Sequence, residues 1–455
     1  MPDLSIDFAG IQSPNPFWLA SAPPTNSGPQ VMRAFDAGWG GAVWKTLGNP
    51  IVNVSSRLGS VDLNGQRMMG LNNIELITDR PLADNLREIA EVKRRYPQHA
   101  LVVSLMFDTR EEWKEAIRRS EDTGCDGLEL NFGCPHGMCE RGMGSAVGQE
   151  PKVLEELVRW VMDVASVPVI AKLTPNVSHV QDPALAAVSG GASAISLINT
   201  VQSIVGVDLD RLVPLPRVAQ ASSHGGYCGP AVKPIALRMV AELARDPRIG
   251  VPISGIGGIS TWRDAAEFLA LGASSVQVCT AVMHHGYRIV EDMIEGLDRY
   301  LAQKQMKSVR ELVGAAVPAF KEWGELDLNY HVVAKIDDAT CIGCQLCIVA
   351  CDDGAHQCIH RPGELAHKGH VAPMAKVAAH RAKRASLDVP YRVPWVDETE
   401  CVGCNLCALV CPVAGCITME EQRRAPKTDT WNDRVADGRD AVPGGLRDLA
   451  RSRGA

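Results

Sequence analysis

The sequence predicts an α/β chain: an eight-stranded (β/α)8 TIM barrel followed by a small α+β domain carrying two iron–sulfur clusters. Three observations carry this. From residue 15 to about 300, short apolar, β-branched runs alternate with longer amphipathic segments. Eight such units in under 300 residues suit a closed barrel. No Gly-x-Gly-x-x-Gly follows the first run to open a helix, as an open doubly wound sheet with a dinucleotide site would require. Near the C-terminus, Cys341, Cys344, Cys347 and Cys351, then Cys401, Cys404, Cys407 and Cys411 with Pro412, both read C-x2-C-x2-C-x3-C. That is the ligand spacing of a bacterial-type ferredoxin with two [4Fe–4S] clusters. Zinc sites share the C-x2-C pair but not a repeated four-cysteine run.

The eight strand candidates, in order, are Phe17–Ser21, Ala42–Leu47, Leu101–Met106, Gly127–Phe132, Val167–Leu173, Ala194–Asn199, Pro252–Gly255 and Ser275–Ala281. Their near-continuous apolarity is that of parallel strands covered on both faces. Helices are expected at Arg110–Thr123, Pro151–Ala165, Thr261–Leu271 and Arg288–Lys304, with Thr261 and Asp182-Pro183 as helix starts. The expected domains are a barrel over 1–306, a connector over 307–338 and a ferredoxin-like domain over 339–420. A tail over 421–455, rich in Arg, Asp, Gly and Pro, is expected to be disordered. A basic insert at about 360–392 separates the cysteine runs and holds four of the histidines, His360, His367, His370 and His380. It reads as a solvated excursion, as a docking face for an acidic redox partner, or as a metal site built on its histidines.

Composition excludes several classes. A net charge of −7 gives no general attraction for nucleic acid or an anionic membrane. No run of 18 apolar residues suggests a membrane span. Met1-Pro2-Asp3-Leu4 has neither the basic nor the apolar region of a secretory signal. The chain is therefore expected in the cytoplasm, where its 15 cysteines stay reduced.

In a barrel of this kind chemistry gathers at the C-terminal ends of the strands. Those ends supply Ser21, Lys45-Thr46, Asn131 with Cys134, Lys172, Asn199-Thr200, Gly255-Ile256-Gly257-Gly258 and Cys279-Thr280. Two lysines ending apolar runs are costly to bury unless an anion pairs with them. Gly257-Gly258 after strand seven and Cys279-Thr280 after strand eight stand where such barrels hold a phosphate. FMN answers both: it has one phosphate, and its ring joins two-electron organic chemistry to one-electron clusters.

At Asn131-Phe-Gly-Cys-Pro-His136 the sequence becomes specific. Together with Asn15-Pro-Phe-Trp-Leu-Ala-Ser21, Lys45-Thr46, Asn73-Ile-Glu-Leu-Ile77, Glu140-Arg-Gly-Met143, Ala171-Lys-Leu-Thr-Pro-Asn176 and Asn199-Thr200, it resembles the pyrimidine-reducing subunits of NAD-dependent dihydropyrimidine dehydrogenases, relatives of class 1 dihydroorotate dehydrogenases. The resemblance covers roughly residues 5–350 and 395–420. It implies reduction of the 5,6 double bond of uracil or thymine, with Cys134 as general acid. It implies that Asn73, Glu75, Ile77, Asn131, Asn199 and Thr200 contact the pyrimidine. Ala20, Ser21, Lys45, Thr46, Asn131, Lys172 and Asn199 would hold the flavin, and Gly229, Gly257, Gly258, Cys279 and Thr280 its ribityl phosphate. It also implies that the fourth cysteine of each run completes the other run's cluster.

Two departures stand out. Gly133 replaces the serine of larger eukaryotic relatives. Nicotinamide- and FAD-binding domains are also missing, so NADH and FAD are expected on a flavoprotein partner subunit in a hetero-oligomer. The loop Gly137–Gly144 reads as a lid. The alternative functions are a dihydroorotate dehydrogenase, which shares FMN, the cysteine and the lysines, or a flavin-free electron-transfer subunit.

Overall fold

A computed structural model describes residues 2–49, 54, 58–63, 66–361, 393–423, 425 and 427–440. It divides into two compact units, Met1–Phe320 and Lys321–Ala455.

The first unit is built on a closed parallel barrel of eight strands. They are Phe17–Leu19 (β1), Gly41–Leu47 (β2), Ala100–Leu105 (β3), Gly127–Phe132 (β4), Val169–Leu173 (β5), Ala194–Leu197 (β6), Ile253–Ile256 (β7) and Ala273–Val278 (β8). Each pairs with its sequence neighbours, and β8 closes onto β1 through Val276–Phe17 and Val278–Leu19. Every residue of β2 to β7 is buried, because side chains inside the barrel pack on one another and those outside pack under helices. Thr109 and Thr261 open helices Arg110–Glu121 and Trp262–Ala270 with reciprocal capping boxes, each hydroxyl accepting from the third helical amide. The start expected at Asp182-Pro183 lies at Gln181, without a side-chain cap. An N-terminal hairpin, Ile6–Phe8 with Ile11–Ser13, covers the barrel floor. Phe8 meets Trp18 edge-on at 5.4 Å.

Two excursions rise from the other end. Leu58–Leu63 and Gln66–Asn73 form an antiparallel pair after β2. Val201–Ser203 and Gly225–Cys228 follow β6 and complete a four-stranded sheet with them, Gly226 lying opposite Asn73. Short runs with interspersed polar residues hid these strands in the sequence.

The boundaries differ from those expected. Residues 307–320 belong to the barrel unit: Val309 N donates to Asp3 O at 2.9 Å and Ala316 N to Ala270 O at 2.8 Å. The remainder of the expected connector contributes strand Tyr330–Ile336 to the second unit, paired antiparallel with Ile417–Arg423. That strand also runs past residue 420, and helix Trp431–Ala436 follows, capped by Thr430 and braced by Arg434–Asp440 at 2.6 Å and Arg439–Asp429 at 2.8 Å. Ion pairs and caps order this stretch where apolar content predicts no structure. Residues 441–455 lie outside the described residues.

The second unit repeats one motif twice. Helices Leu346–Gly354 and Leu406–Leu409 each begin after a left-handed residue, Gln345 at φ 63° and Asn405 at φ 69°. A short antiparallel pair, Ile359–His360 with Trp395–Val396, joins the halves. His360, counted with the insert, is buried against the Trp395 ring at 4.5 Å. The rest of the basic insert, 362–392, lies outside the described residues. Among the described residues, no helix is long and apolar enough to cross a membrane.

Candidate active site and cluster sites

At the C-terminal end of the barrel strands, under the four-stranded sheet, lies a cavity of about 1180 Å³ including its mouth. It is lined by Ala20, Ser21, Lys45, Thr46, Asn73, Glu75, Ile77, Asn131, Cys134, Lys172, Asn199, Thr200, Gly229, Gly257, Gly258, Cys279 and Thr280. The barrel residues singled out in the sequence are thus brought to one place by strand ends that are far apart in the chain. Leu71, His136, Tyr227, Cys228 and Gln277 share the lining; the excursions that bring Leu71, Tyr227 and Cys228 carry no motif.

Both lysines are paired. Lys45 Nζ lies 2.5 Å from Glu75 Oε1 in the cavity wall. Lys172 Nζ lies 3.4 Å from Glu129 Oε1, a carboxylate with no exposed surface. Glu129 Oε2 accepts from Ser196 Oγ at 2.8 Å and Gln277 Nε2 at 3.1 Å. Ser254 and Ser275 extend the network across β7 and β8. This ring of polar groups inside the barrel was missed. Its sequence signal is a glutamate in the middle of an otherwise apolar buried strand.

The amides are oriented before any ligand arrives. Asn131 Nδ2 donates to Thr46 Oγ1 at 3.0 Å, and Asn131 Oδ1 accepts from Asn199 Nδ2 at 3.1 Å and Gly133 N at 3.2 Å. Thr46 N in turn donates to Ser21 Oγ at 3.0 Å. Asn73 Nδ2 donates to Gly226 O at 3.1 Å. These bonds hold each side chain in one rotamer at the wall.

Cys134 sits just beyond β4, its Sγ 3.5 Å from His136 O. One side packs in a small apolar cluster with Ile77, Met106 and Met138. Burial pushes its thiol up to about 11, so it is protonated at neutral pH. His136 Nε2 lies 3.0 Å from Glu75 O, and burial lowers its pKa, favouring the neutral ring. Gly137, Gly142 and Gly144 all have positive φ and frame the loop that follows, which carries Met138 into the apolar cluster.

The residues present fit FMN. Gln277 Oε1 is buried without a hydrogen-bond partner among the described residues, at the cavity wall. Gly257 and Gly258 adopt φ 132° and 74°, conformations that favour glycine. A Cβ on Gly258 would stand 2.8 Å from Gly229 O, so the two backbone turns approach too closely for side chains and leave bare peptide groups beside Thr280.

In the second unit Cys351, Cys401, Cys404 and Cys407 line one cavity, and Cys341, Cys344, Cys347 and Cys411 another. Each cavity therefore gathers three cysteines of one run and the fourth of the other.

A family model for dihydroorotate dehydrogenase matches residues 3–301, and one for a 4Fe-4S binding domain matches residues 394–414. The NAD-dependent dihydropyrimidine dehydrogenase subunit PreA of Escherichia coli is 42% identical over 421 residues, covering 92% of this chain and 96% of its own. The chloroplastic dihydropyrimidine dehydrogenase (NADP(+)) of Arabidopsis thaliana is 41% identical over 70% of this chain and 78% of its own. The catalytic subunit of dihydroorotate dehydrogenase B (NAD(+)) of Pyrococcus abyssi is 37% identical over 69% of this chain and 99% of its own. The chain belongs to the dihydroorotate dehydrogenase family, with a 4Fe-4S binding domain joined to its barrel.

Proposed function

We propose that this oxidoreductase is the pyrimidine-reducing subunit of an NAD-dependent dihydropyrimidine dehydrogenase, saturating the C5–C6 bond of uracil or thymine. The observation that carries it is the placement of Cys134 in one cavity with two lysines, a row of fixed amides and a glycine cradle. Held there, FMN would supply hydride chemistry at C6 and one-electron exchange with the clusters. Lys45, Lys172, Ser21, Thr46 and Ala20 hold its ring system, and Gly229, Gly257, Gly258, Cys279 and Thr280 its phosphate. Cys134 holds the proton that C5 requires. Asn73, Asn131, Asn199 and Thr200 present donors and acceptors to the alternating N–H and C=O edge of the pyrimidine, and Glu75 accepts from a ring N–H. Donors at the C4 carbonyl stabilise the charge that builds there.

A neutral ring suits the cavity better than a carboxylate-bearing one. Among the described residues its only lysines or arginines are Lys45 and Lys172, each already beside a glutamate. Orotate would place a third carboxylate there without a free cation. Anaerobic titration of the FMN-loaded chain decides between them. Dihydrouracil is expected to bleach the flavin and dihydroorotate to leave it oxidised; the opposite pattern would make this a dihydroorotate dehydrogenase. The relatives' names as subunits support a separate NADH-oxidising flavoprotein. The purified chain is accordingly expected not to consume NADH until that partner is added.

Gly133 bears on the same pocket. A Cβ there would lie 2.3 Å from Asn199 Cβ and 2.6 Å from Asn199 Nδ2. Gly133→Ser is expected to displace Asn199, break its bond to Asn131 and raise the KM for uracil by about tenfold or more, the worth of one buried hydrogen bond. An unchanged KM would show that Asn199 does not touch the pyrimidine.

A further inference from the structure

We propose that the two clusters are built unequal, and that the Cys358 thiol raises the reduction potential of the one held by Cys351, Cys401, Cys404 and Cys407. The inference rests on the iron–sulfur reading of the cysteine runs. Each cluster cavity contains a fifth cysteine that no run accounts for: Cys358 in one, Cys416 in the other. Both are buried, and each is followed by an isoleucine that enters a strand. The likeness ends at their backbone hydrogen bonds.

Cys358 Sγ lies 3.6 Å from Cys351 Sγ, and Cys358 N donates to the same sulfur at 3.2 Å. Iron ligation needs Cys351 as a thiolate, which carries no proton. Cys358 is then the donor of the pair, and one ligand sulfur receives two hydrogen bonds from one residue. Ala334 N donates to a second sulfur of that cluster, Cys401 Sγ, at 3.4 Å. In the other cavity the corresponding ligand, Cys411, has its Sγ 3.4 Å from the Val413 carbonyl, an acceptor that gives nothing to a thiolate. Cys416 also has its thiol beside Cys411, with Asp337 O 3.8 Å away, but its backbone N donates to Val413 O at 3.2 Å and not to the ligand sulfur. Donors on ligand sulfurs spread the negative charge added on reduction and so favour the reduced cluster; hydrogen bonding of this kind is one of the settings of cluster potential. An electron shared by the two clusters therefore settles on the one beside Cys358.

The test is an EPR-monitored redox titration of the full chain reconstituted anaerobically, with iron and sulfide measured on every sample. The wild type is expected to show two separate potentials. Cys358→Ala lowers the higher one alone, Cys358→Ser keeps it near wild type because the hydroxyl still donates, and Cys416→Ala leaves the higher one unchanged. Full iron content with both potentials unchanged in Cys358→Ala overturns the proposal, as does a fall in the lower potential alone. If the alanine variant loses iron, the serine variant decides, since a lowered potential there excludes a donor role. Wild-type iron and sulfide below two clusters would instead overturn the iron–sulfur reading itself.

Discussion

Cys134→Ala is expected to slow pyrimidine reduction by about 10²–10⁴-fold, the usual worth of a general acid, with FMN and iron contents unchanged. The thiol projects into the cavity from the loop after β4, and among the described residues its one hydrogen bond goes to a backbone carbonyl two residues on. Removing it deletes a proton donor and leaves the lysines and amides in place. The pH profile separates this role from simple packing. An unperturbed thiol ionises near pH 8.5, at roughly the value of free cysteine, and an acid with that pKa would lose activity above it. Burial holds Cys134 at about 11. Reduction therefore stays level through pH 9 as far as this group governs it. In the reverse direction the same residue must act as a thiolate base, so dihydrouracil oxidation rises with pH towards about 11, and the rise disappears in Cys134→Ala. Wild-type turnover in that variant would sink the acid assignment.

The strands were legible because burial on both faces leaves near-continuous apolar runs, and the cavity followed because strand ends in a barrel converge. Lys45 and Lys172 stood out as charges that end such runs. Their partners did not. Glu75 reaches Lys45 only because the pair Leu58–Leu63 and Gln66–Asn73 carries the chain back over the barrel mouth, a path that no periodicity marks. Tyr227 and Cys228 arrive through pairing with that same excursion. The crossing of the fourth cysteines was implied by the resemblance, not by the spacing itself, and the two cavities gather the cysteines in that pattern. The thiol contact of Cys358 was not, since a cysteine seven residues past Cys351 looks like any small buried side chain.

Glu129 has the largest expected effect on the barrel itself. The residue looks out of place in Gly127–Phe132, where every neighbour is buried and its own exposure is zero. It persists because two donors, Ser196 and Gln277, reach one oxygen and the Lys172 ammonium pairs with the other as counter-ion. Glu129→Ala leaves the Lys172 charge, only 6% exposed, without its counter-ion. Breaking one side of a buried pair costs about 3–5 kcal/mol, a large share of the roughly 5–15 kcal/mol that holds a typical protein folded. The expected result is a fall of that size in unfolding free energy by urea titration, with weakened FMN retention because Lys172 loses its fixed position. Lys172→Met alone strands the carboxylate and should also destabilise. The double variant Glu129→Gln, Lys172→Met removes both charges while keeping acceptor and donor groups for Ser196 and Gln277. It should therefore be more stable than the sum of its single changes, the sign of a direct coupling. Additive losses would mean that the two side chains matter separately, and that the lysine at the flavin end of β5 is held by something other than the carboxylate beneath it.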